Sequence, residues 1–320
     1  MFKTMYKSYD QAFPPRPTFT EKDVPLLDGK VYIVTGANTG VGKCVAQILY
    51  SKNAKVYVAA RSESKALAAI DDIKKAEPSS KGQLVFLHLD LADLSTIKAS
   101  AETFLQAESR LHVLFNNAGT VQGYDMQLGV NCLGSFLFTK LLTPCIKATA
   151  KAEPAASVRV VWVASSAAEM HFAPPGGVPM DNLDYHVDKD SMTKYSISKA
   201  GNVLHNLEYA KLLKADGVAS VALNPGNLRS DLWRHQFTPV SLFLNTFILH
   251  PTIHGAYTEI FAAFSPEITM ENTGTWVAPW GRFAELREDL VAAGKSEAEG
   301  GSGIAKQFWD WSEEQVKPFA

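Results

Sequence analysis

Tyr195 and Lys199 stand four residues apart in the run Tyr-Ser-Ile-Ser-Lys. On a helix that spacing puts both side chains on one face, one turn apart. The two types suit acid/base work: a phenol with a pKa near ~10 transfers protons poorly at neutral pH, and a neighbouring ammonium favours the phenolate and lowers that value. By itself Tyr-x-x-x-Lys also describes many ordinary solvated helix faces. A second stretch supplies context. Thr35-Gly36-Ala37-Asn38-Thr39-Gly40-Val41-Gly42 follows the β-rich run Lys30 to Thr35 and opens a helical pattern. Glycines there let the backbone turn tightly and approach a pyrophosphate, which the helix N-terminus favours through its N–H groups and dipole. The spacing Gly-x-x-x-Gly-x-Gly differs from the commoner Gly-x-Gly-x-x-Gly.

The elements that must position these groups follow from periodicity. Strands are expected at 30–35, 55–60, 83–89, 111–116, 157–164 and 218–223, and helices at 40–51, 62–76, 93–107, 131–150 and 195–215. Strands alternating with helices mean parallel βαβ units, so the expected fold is α/β: a Rossmann-like doubly wound parallel sheet, a three-layer αβα sandwich in a single domain. Residues 1–29 read as a proline-bearing N-terminal extension, 30–285 as the domain, and 286–320 as a C-terminal helical segment set off by Gly300-Gly301-Ser302-Gly303.

With 320 residues, 46% of them hydrophobic, the chain has enough apolar material for a substantial core. A formal net charge of −2 gives no extended positive field, which argues against nucleic acid as a partner and favours small-molecule chemistry. Cys44, Cys132 and Cys145 are odd in number and lie in no metal-binding spacing, which points to free thiols in a reducing, cytoplasmic setting. The N-terminus lacks the apolar run of a signal peptide, and the apolar stretch Val240 to Leu249 is too short to span a bilayer, so no transmembrane anchor is expected.

Several motifs in fixed order carry a resemblance: TGANTGVG at 35–42, LDL at 89–91, NNAG at 116–119, GVNCLG at 129–134, VASS at 163–166, YSISK at 195–199 and NPG at 224–226. From about Lys30 to Ser230 the chain resembles the short-chain dehydrogenase/reductase superfamily, its retinol-dehydrogenase-like branch and that branch's fungal relatives. The resemblance implies that Asn131, Ser166, Tyr195 and Lys199 form a catalytic tetrad. Ser166 would hydrogen-bond the substrate carbonyl, Tyr195 would deliver the proton, Lys199 would hold the ribose and assist Tyr195, and Asn131 would fix a water relay behind Lys199. Of the two adjacent serines the family pattern favours Ser166, and Ser165 reads as a structural hydroxyl at a strand end. For the cofactor the resemblance implies Gly36, Asn38, Thr39, Gly40, Val41 and Gly42 at the pyrophosphate, Asp90 and Leu91 near the adenine, Asn117, Ala118 and Gly119 along the cleft, and Pro225, Gly226 and Leu228 beside the nicotinamide. Tyr195 and Lys199 would also contact the cofactor.

The second strand ends Ala59-Ala60-Arg61 where an NAD site usually carries an acid, so NADP(H) is expected over NAD(H), with Arg61 on the 2′-phosphate. Thr39, in place of a basic residue before Gly40, departs from the stronger NADP patterns. Phe243, Leu244, Phe247 and Ile248 lie in a segment, 232–255, that reads equally as a substrate lid or as core; a lid would imply an apolar substrate. His250 and His254 have i,i+4 spacing, but Pro251 argues against a regular helix there, and no metal site is expected. His171 and His235 are candidates for the substrate mouth, while Trp276 to Trp280 read as core edge or pocket wall.

The expected activity is therefore NADP(H)-linked interconversion of a hydrophobic ketone or aldehyde, of retinoid-, steroid- or polyketide-like type, and its alcohol, by a possible homodimer. The rivals are a catalytically silent dinucleotide-sensing or scaffold protein on the same fold, which the intact tetrad opposes, and an enoyl reductase or epimerase.

Overall fold

The computed structural model describes residues 9–120, 127–170, 172–229 and 249–320. Strand β1 (Val31–Thr35) forms from a β-branched and aromatic run in which every residue is buried, the pattern of a strand covered on both faces. Around it an eight-stranded sheet is ordered β3-β2-β1-β4-β5-β6-β7-β8. Its members are β2 (Lys55–Ala60), β3 (Gln83–His88), β4 (Val113–Asn116), β5 (Val158–Val163), β6 (Val218–Leu223), β7 (Trp276–Ala278) and β8 (Arg282–Phe283). Pairings are parallel throughout, Ile33 opposite Tyr57 and Leu114 for example, until β8, which runs antiparallel to β7.

Helices cover both faces. On one lie α1 (Gly40–Ser51), α2 (Glu63–Ala76) and, after β6, the helix Thr252–Phe264; their inward residues Val45, Leu49, Ile70, Ile73 and Ile260 are 5% exposed or less. On the other lie α3 (Leu94–Ala107), α4 (Ser135–Ala150) and α5 (Ser191–Leu213), packed through Phe104, Phe136, Leu142, Leu204 and Trp162. The helix at 252–264 becomes α6, followed by α7 (Glu288–Ala293) and α8 (Ile304–Val316). The chain is thus a three-layer, doubly wound α/β domain. Its strand order reverses between β1 and β4, the switch point where such sheets open a ligand crevice.

Most expected elements are present with ends shifted by a few residues. α5 starts at Ser191, four residues before Tyr195, because Asp190 caps it, its Oδ1 accepting from Met192 and Thr193 N–H at 3.0 Å. The helix expected from Asn131 is entered through a π-helical stretch, Gly129–Gly134, before α4. Together Gly129–Ala150 is long and apolar enough to cross a membrane, but it is 67% buried and packs against α3 and the sheet. Pro251 does not prevent a helix: it stands at the N-cap of α6, where its missing N–H costs nothing.

The described residues before β1 and the C-terminal segment both join the core. Val24 and Leu27 are buried, and Asp10 pairs with Arg282 beside β8 (Oδ2–Nη1 2.9 Å). In α8, Phe308 is fully buried and stacks on His205 of α5 at 4.8 Å, while Ser312 meets His205 Nε2 at 2.9 Å. The C-terminal helix is therefore a wall of the main core.

Candidate active site

The turn after β1 has the shape a pyrophosphate requires. Gly36 and Gly40 have φ of +69° and +60°, where any Cβ is strained. A Cβ on Gly42 would lie 2.5 Å from Asn117 Nδ2 and 3.0 Å from Gly36 O. Asn117 in turn donates to Thr35 O at 2.7 Å, and Thr35 Oγ1 accepts from Ala118 N at 2.9 Å, so the glycine turn and the end of β4 are fixed as one unit. The first turn of α1 carries no acidic residue, which suits an anion at that N-terminus. This cradle fits a dinucleotide. Asn38, Thr39 and Val41 line it at or near the surface, and exposed Arg61 directly follows β2. Asp90, after β3, closes a turn by accepting from Ala92 N at 3.0 Å, with Leu91 buried behind it.

Across the crevice, α5 brings Tyr195 and Lys199 to the carboxyl end of β5. Lys199, 4% exposed, donates from Nζ to the Val163 carbonyl at 2.8 Å and lies 5.9 Å from the Tyr195 ring centroid. Burial lowers its pKa to about 8, against the opposing pull of Cys132 and Glu259. Tyr195 is half-buried, and desolvation pushes its pKa up, partly countered by a hydrogen bond with the Ser165 hydroxyl. The lowering expected from a neighbouring ammonium is thus reversed: desolvation outweighs it, and Nζ is directed at a backbone carbonyl.

Of the two serines it is Ser165 whose hydroxyl acts on the Tyr195 phenol. Ser165 continues β5 in extended conformation (φ −169°, ψ 160°), and its Oγ also accepts from Ala167 N at 3.2 Å. Ser166 begins the 3-10 turn Ser166–Ala168, and its carbonyl accepts from Glu169 and Met170 N–H. Because side chains alternate faces along extended chain, a one-residue change of register exchanges which hydroxyl meets Tyr195. The Ser165 hydroxyl, set aside in the sequence as structural, is therefore the one the structure turns toward Tyr195, and Ser166 forms the first residue of the turn.

Asn131 sits fully buried in the π-helical stretch, a distortion often found at functional sites. Its Oδ1 accepts from Thr120 N at 2.8 Å, and its Nδ2 donates to Thr120 O at 3.1 Å and to Ser198 Oγ at 2.9 Å. Ser198 Oγ donates to Tyr195 O at 2.8 Å. Asn131 thereby ties the chain after Gly119 to the helix that carries Tyr195. A Cβ on Gly119 would meet Lys199 Nζ at 3.1 Å and Asn131 Oδ1 at 3.2 Å, so both polar atoms converge on the cleft above that glycine.

After β6, Asn224 Oδ1 accepts from Gly226 N at 3.0 Å and shapes the turn through Pro225. Gly226 (φ +90°) has the Trp280 ring against it, where a Cβ would come within 2.6 Å. Leu228 and His250 form a parallel bridge, with Arg229 N to His250 O at 2.9 Å and His250 N to Asn227 O at 2.8 Å. The rings of His250 and His254 each lie 5.0 Å from Trp280, an aromatic cluster rather than a metal site, and no metal-binding group of side chains occurs among the described residues. His171, His235, Phe243, Leu244, Phe247, Ile248 and most of the expected lid lie outside the described residues.

Trp280, named in the sequence as core edge or pocket wall, packs on Gly226 of the turn after β6, and the sequence reading missed Glu259 of α6. Glu259 is fully buried with neither carboxylate oxygen hydrogen-bonded, and burial pushes its pKa up to about 8. An acid flanked by Thr258 and Ile260 in an apolar helix was the available signal.

A doubly wound sheet with a glycine cradle at its switch point and a Ser–Tyr–Lys cluster opposite defines a dinucleotide-dependent oxidoreductase site. The short chain dehydrogenase family matches residues 30–175. A short-chain dehydrogenase/reductase of Phomopsis amygdali is 54% identical over 331 residues, covering 99% of this chain and 98% of that protein. The short-chain dehydrogenase/reductase bet4 of Neocamarosporium betae is 48% identical over 97% of this chain and 93% of its own length. Among solved structures, a 7 alpha-hydroxysteroid dehydrogenase complexed with NADH and 7-oxo glycochenodeoxycholic acid superposes with a TM-score of 0.65 at 21% identity, covering 83% of this chain and 98% of that one. The chain belongs to the short-chain dehydrogenase/reductase family, whose members are oxidoreductases that bind a nicotinamide dinucleotide.

Proposed function

We propose that the protein reduces a hydrophobic ketone or aldehyde to its alcohol with NADPH, Tyr195 supplying the proton. One observation carries the reading: α5 sets Tyr195 and the buried Lys199 one turn apart at the carboxyl end of β5, Nζ fixed on the Val163 carbonyl at 2.8 Å and 5.9 Å from the phenol ring, at the crevice the glycine turn faces. Reduced nicotinamide, when bound, would supply the hydride for the carbonyl carbon. Ser165 hydrogen-bonds the carbonyl oxygen and polarises it, and Tyr195 passes its proton to that oxygen as negative charge develops there. Burial suits Tyr195 to this direction, since a raised pKa keeps the phenol protonated at neutral pH. Lys199, with a pKa of about 8, is mainly cationic at pH 7 and stabilises the phenolate left after transfer. Gly36 to Gly42 would hold the pyrophosphate, and Asn117 to Gly119 with Pro225 and Gly226 would border the rest of the dinucleotide.

Two finer points have separate support. Arg61, exposed where β2 ends and in the place of the usual acid, favours a 2′-phosphate. Met170, Phe172, Val187 and Met192, all more than 40% exposed on the chain between Ser165 and Tyr195, favour an apolar substrate. The test is NADPH oxidation against a panel of apolar ketones and aldehydes with Ser165→Ala and Ser166→Ala. The first should lose about 10²- to 10³-fold in kcat, the range for removing one donor to a developing oxyanion, and the second should stay within a few-fold. The opposite ranking would return the role to Ser166; an inactive wild type across the panel would refute the reading.

A further inference from the structure

Gln11 belongs to the N-terminal extension, on a helical turn at residues 9–12, far in sequence from every motif of the site. Its side chain is nonetheless 6% exposed, and both ends of its amide are used. Nε2 donates to Glu169 Oε2 at 2.5 Å, and Oε1 accepts from Asn224 Nδ2 at 2.8 Å. Glu169 ends the turn that starts at Ser165, and Asn224 opens the turn through Pro225 and Gly226. One amide therefore joins the chain leaving β5 to the chain leaving β6, the two segments that carry the carbonyl-binding hydroxyl and the nicotinamide border.

The neighbours of this bridge are fixed as well. Glu169 Oε2 also accepts from the Trp276 indole N–H at 3.2 Å, which ties it to β7. The other Asn224 side-chain atom, Oδ1, holds Gly226 N, so Asn224 passes the constraint into the turn. Next to Gln11, Asp10 is gripped by Arg282: Nη1 donates to Oδ1 at 3.0 Å and Nη2 to the Asp10 carbonyl at 3.3 Å. Arg282 Nε donates to Pro279 O at 2.8 Å, in the residue before Trp280, which packs on Gly226. The extension is thus anchored on β8 and reaches back across the strand ends.

We propose that Gln11 is a positioning residue of the active site, a crosspiece from outside the sheet that sets the spacing between the Ser165 turn and the Asn224-Pro225-Gly226 turn. The proposal rests on the reductase reading, since it is the separation of carbonyl and nicotinamide that the crosspiece controls. Reacting groups tolerate little misplacement, and an error of about 1 Å can cost about 10²-fold. Loosening the two turns should slow hydride transfer without removing any group that touches the dinucleotide cradle.

Gln11→Met keeps length and shape while deleting both hydrogen bonds. With NADPH and the most reactive ketone of the panel, kcat should fall about tenfold or more. The NADPH dissociation constant, measured by fluorescence titration without substrate, should stay within about twofold. The primary deuterium isotope effect from cofactor labelled at C4 should rise, because the hydride step becomes more rate-limiting. A second variant, Gln11→Glu, sets a carboxyl against Glu169, with Asn224 on its other side and Asp10 and Arg282 adjacent. Two facing carboxylates repel unless they share a proton, so its kcat relative to wild type at the same pH should recover as pH falls. Unchanged kcat and isotope effect in folded Gln11→Met would overturn the proposal. So would equal loss of NADPH binding and kcat, or a Gln11→Met that does not fold together with a Gln11→Glu whose relative kcat is flat with pH; each would make Gln11 an anchor of the extension only. Wild type serves as the control: if it binds no NADPH and reduces nothing, the functional reading fails instead.

Discussion

Glu259 offers the sharpest test of the energetics of this fold. Its carboxyl is fully buried in α6 with neither oxygen hydrogen-bonded, and its pKa rises from 4.5 to about 8, mainly through desolvation. The folded chain therefore holds a proton that the unfolded chain has released. Where the native state binds more protons, stability falls as pH rises, so this residue erodes stability from about pH 4.5 until about pH 8. A pKa rise of that size corresponds to roughly 5 kcal/mol once both states are ionised, with more than half of it present at pH 7. Glu259→Gln removes the titration while keeping the volume. The amide brings donors of its own that lack partners, a cost of about 1–3 kcal/mol at every pH. The variant should therefore be less stable than wild type by up to about 2 kcal/mol at pH 5, and more stable by about 2–4 kcal/mol at pH 8.5. Urea denaturation of cofactor-free protein at pH 5, 7 and 8.5 measures the difference. Lys199 adds a slope of opposite sign near and above pH 8, and in the variant it sets in at lower pH because Glu259 no longer helps hold the Lys199 pKa up, so the pH 5 to pH 7 difference carries the test. A stability difference that stays constant across the three pH values would refute the assignment of a buried, uncompensated acid.

Other consequences are equally direct. Tyr195→Phe should bind NADPH within about twofold of wild type while kcat falls about 10²- to 10⁴-fold, the usual contribution of a positioned acid; turnover within twofold would remove Tyr195 from the chemistry. Arg61→Ala should weaken NADPH by about tenfold and leave NADH nearly unchanged, since the charge-assisted contact exists only with a 2′-phosphate; equal losses in the two titrations would mean a structural arginine. Arg159, 5% exposed, donates to the carbonyls of Ala156, Ala262 and Ser265 at 2.6–3.0 Å, holding β5 to the C-terminal end of α6. Arg159→Met should cost about 3–5 kcal/mol in denaturant unfolding by leaving those carbonyls unpaired, and a loss below about 1 kcal/mol would show that the carbonyls find other partners.

Local signals in the sequence reached a long way into this molecule. The alternation of buried strands with amphipathic helices places the sheet, and the Tyr195–Lys199 spacing and the glycine turn locate the crevice, because each depends on neighbours within a turn or two of chain. The choice between Ser165 and Ser166 was not legible in that way: it turns on where β5 stops, and two adjacent serines differ only in which face they present. β7 and β8 are three and two residues long, too short for any periodicity to register. Gln11 meets residues 158 and 213 positions away, and the Arg159 guanidinium meets carbonyls more than 100 away. Such contacts arise from three-dimensional closure, and no local pattern announces them.

The Leu228–His250 bridge has a consequence for how this scaffold can vary. The chain leaves the site at Arg229 and returns at Leu249, and its two stems are fastened to each other, with Arg229 Nε also donating to Leu249 O at 3.1 Å. Once the ends of an excursion are fastened, added length is thermodynamically cheap, each doubling costing only about 0.6 kcal/mol of closure entropy. Fastened stems of this kind let a change in the length of chain joined at Arg229 and Leu249 leave the sheet, the glycine turn and the Ser165–Tyr195–Lys199 cluster close to their present stability.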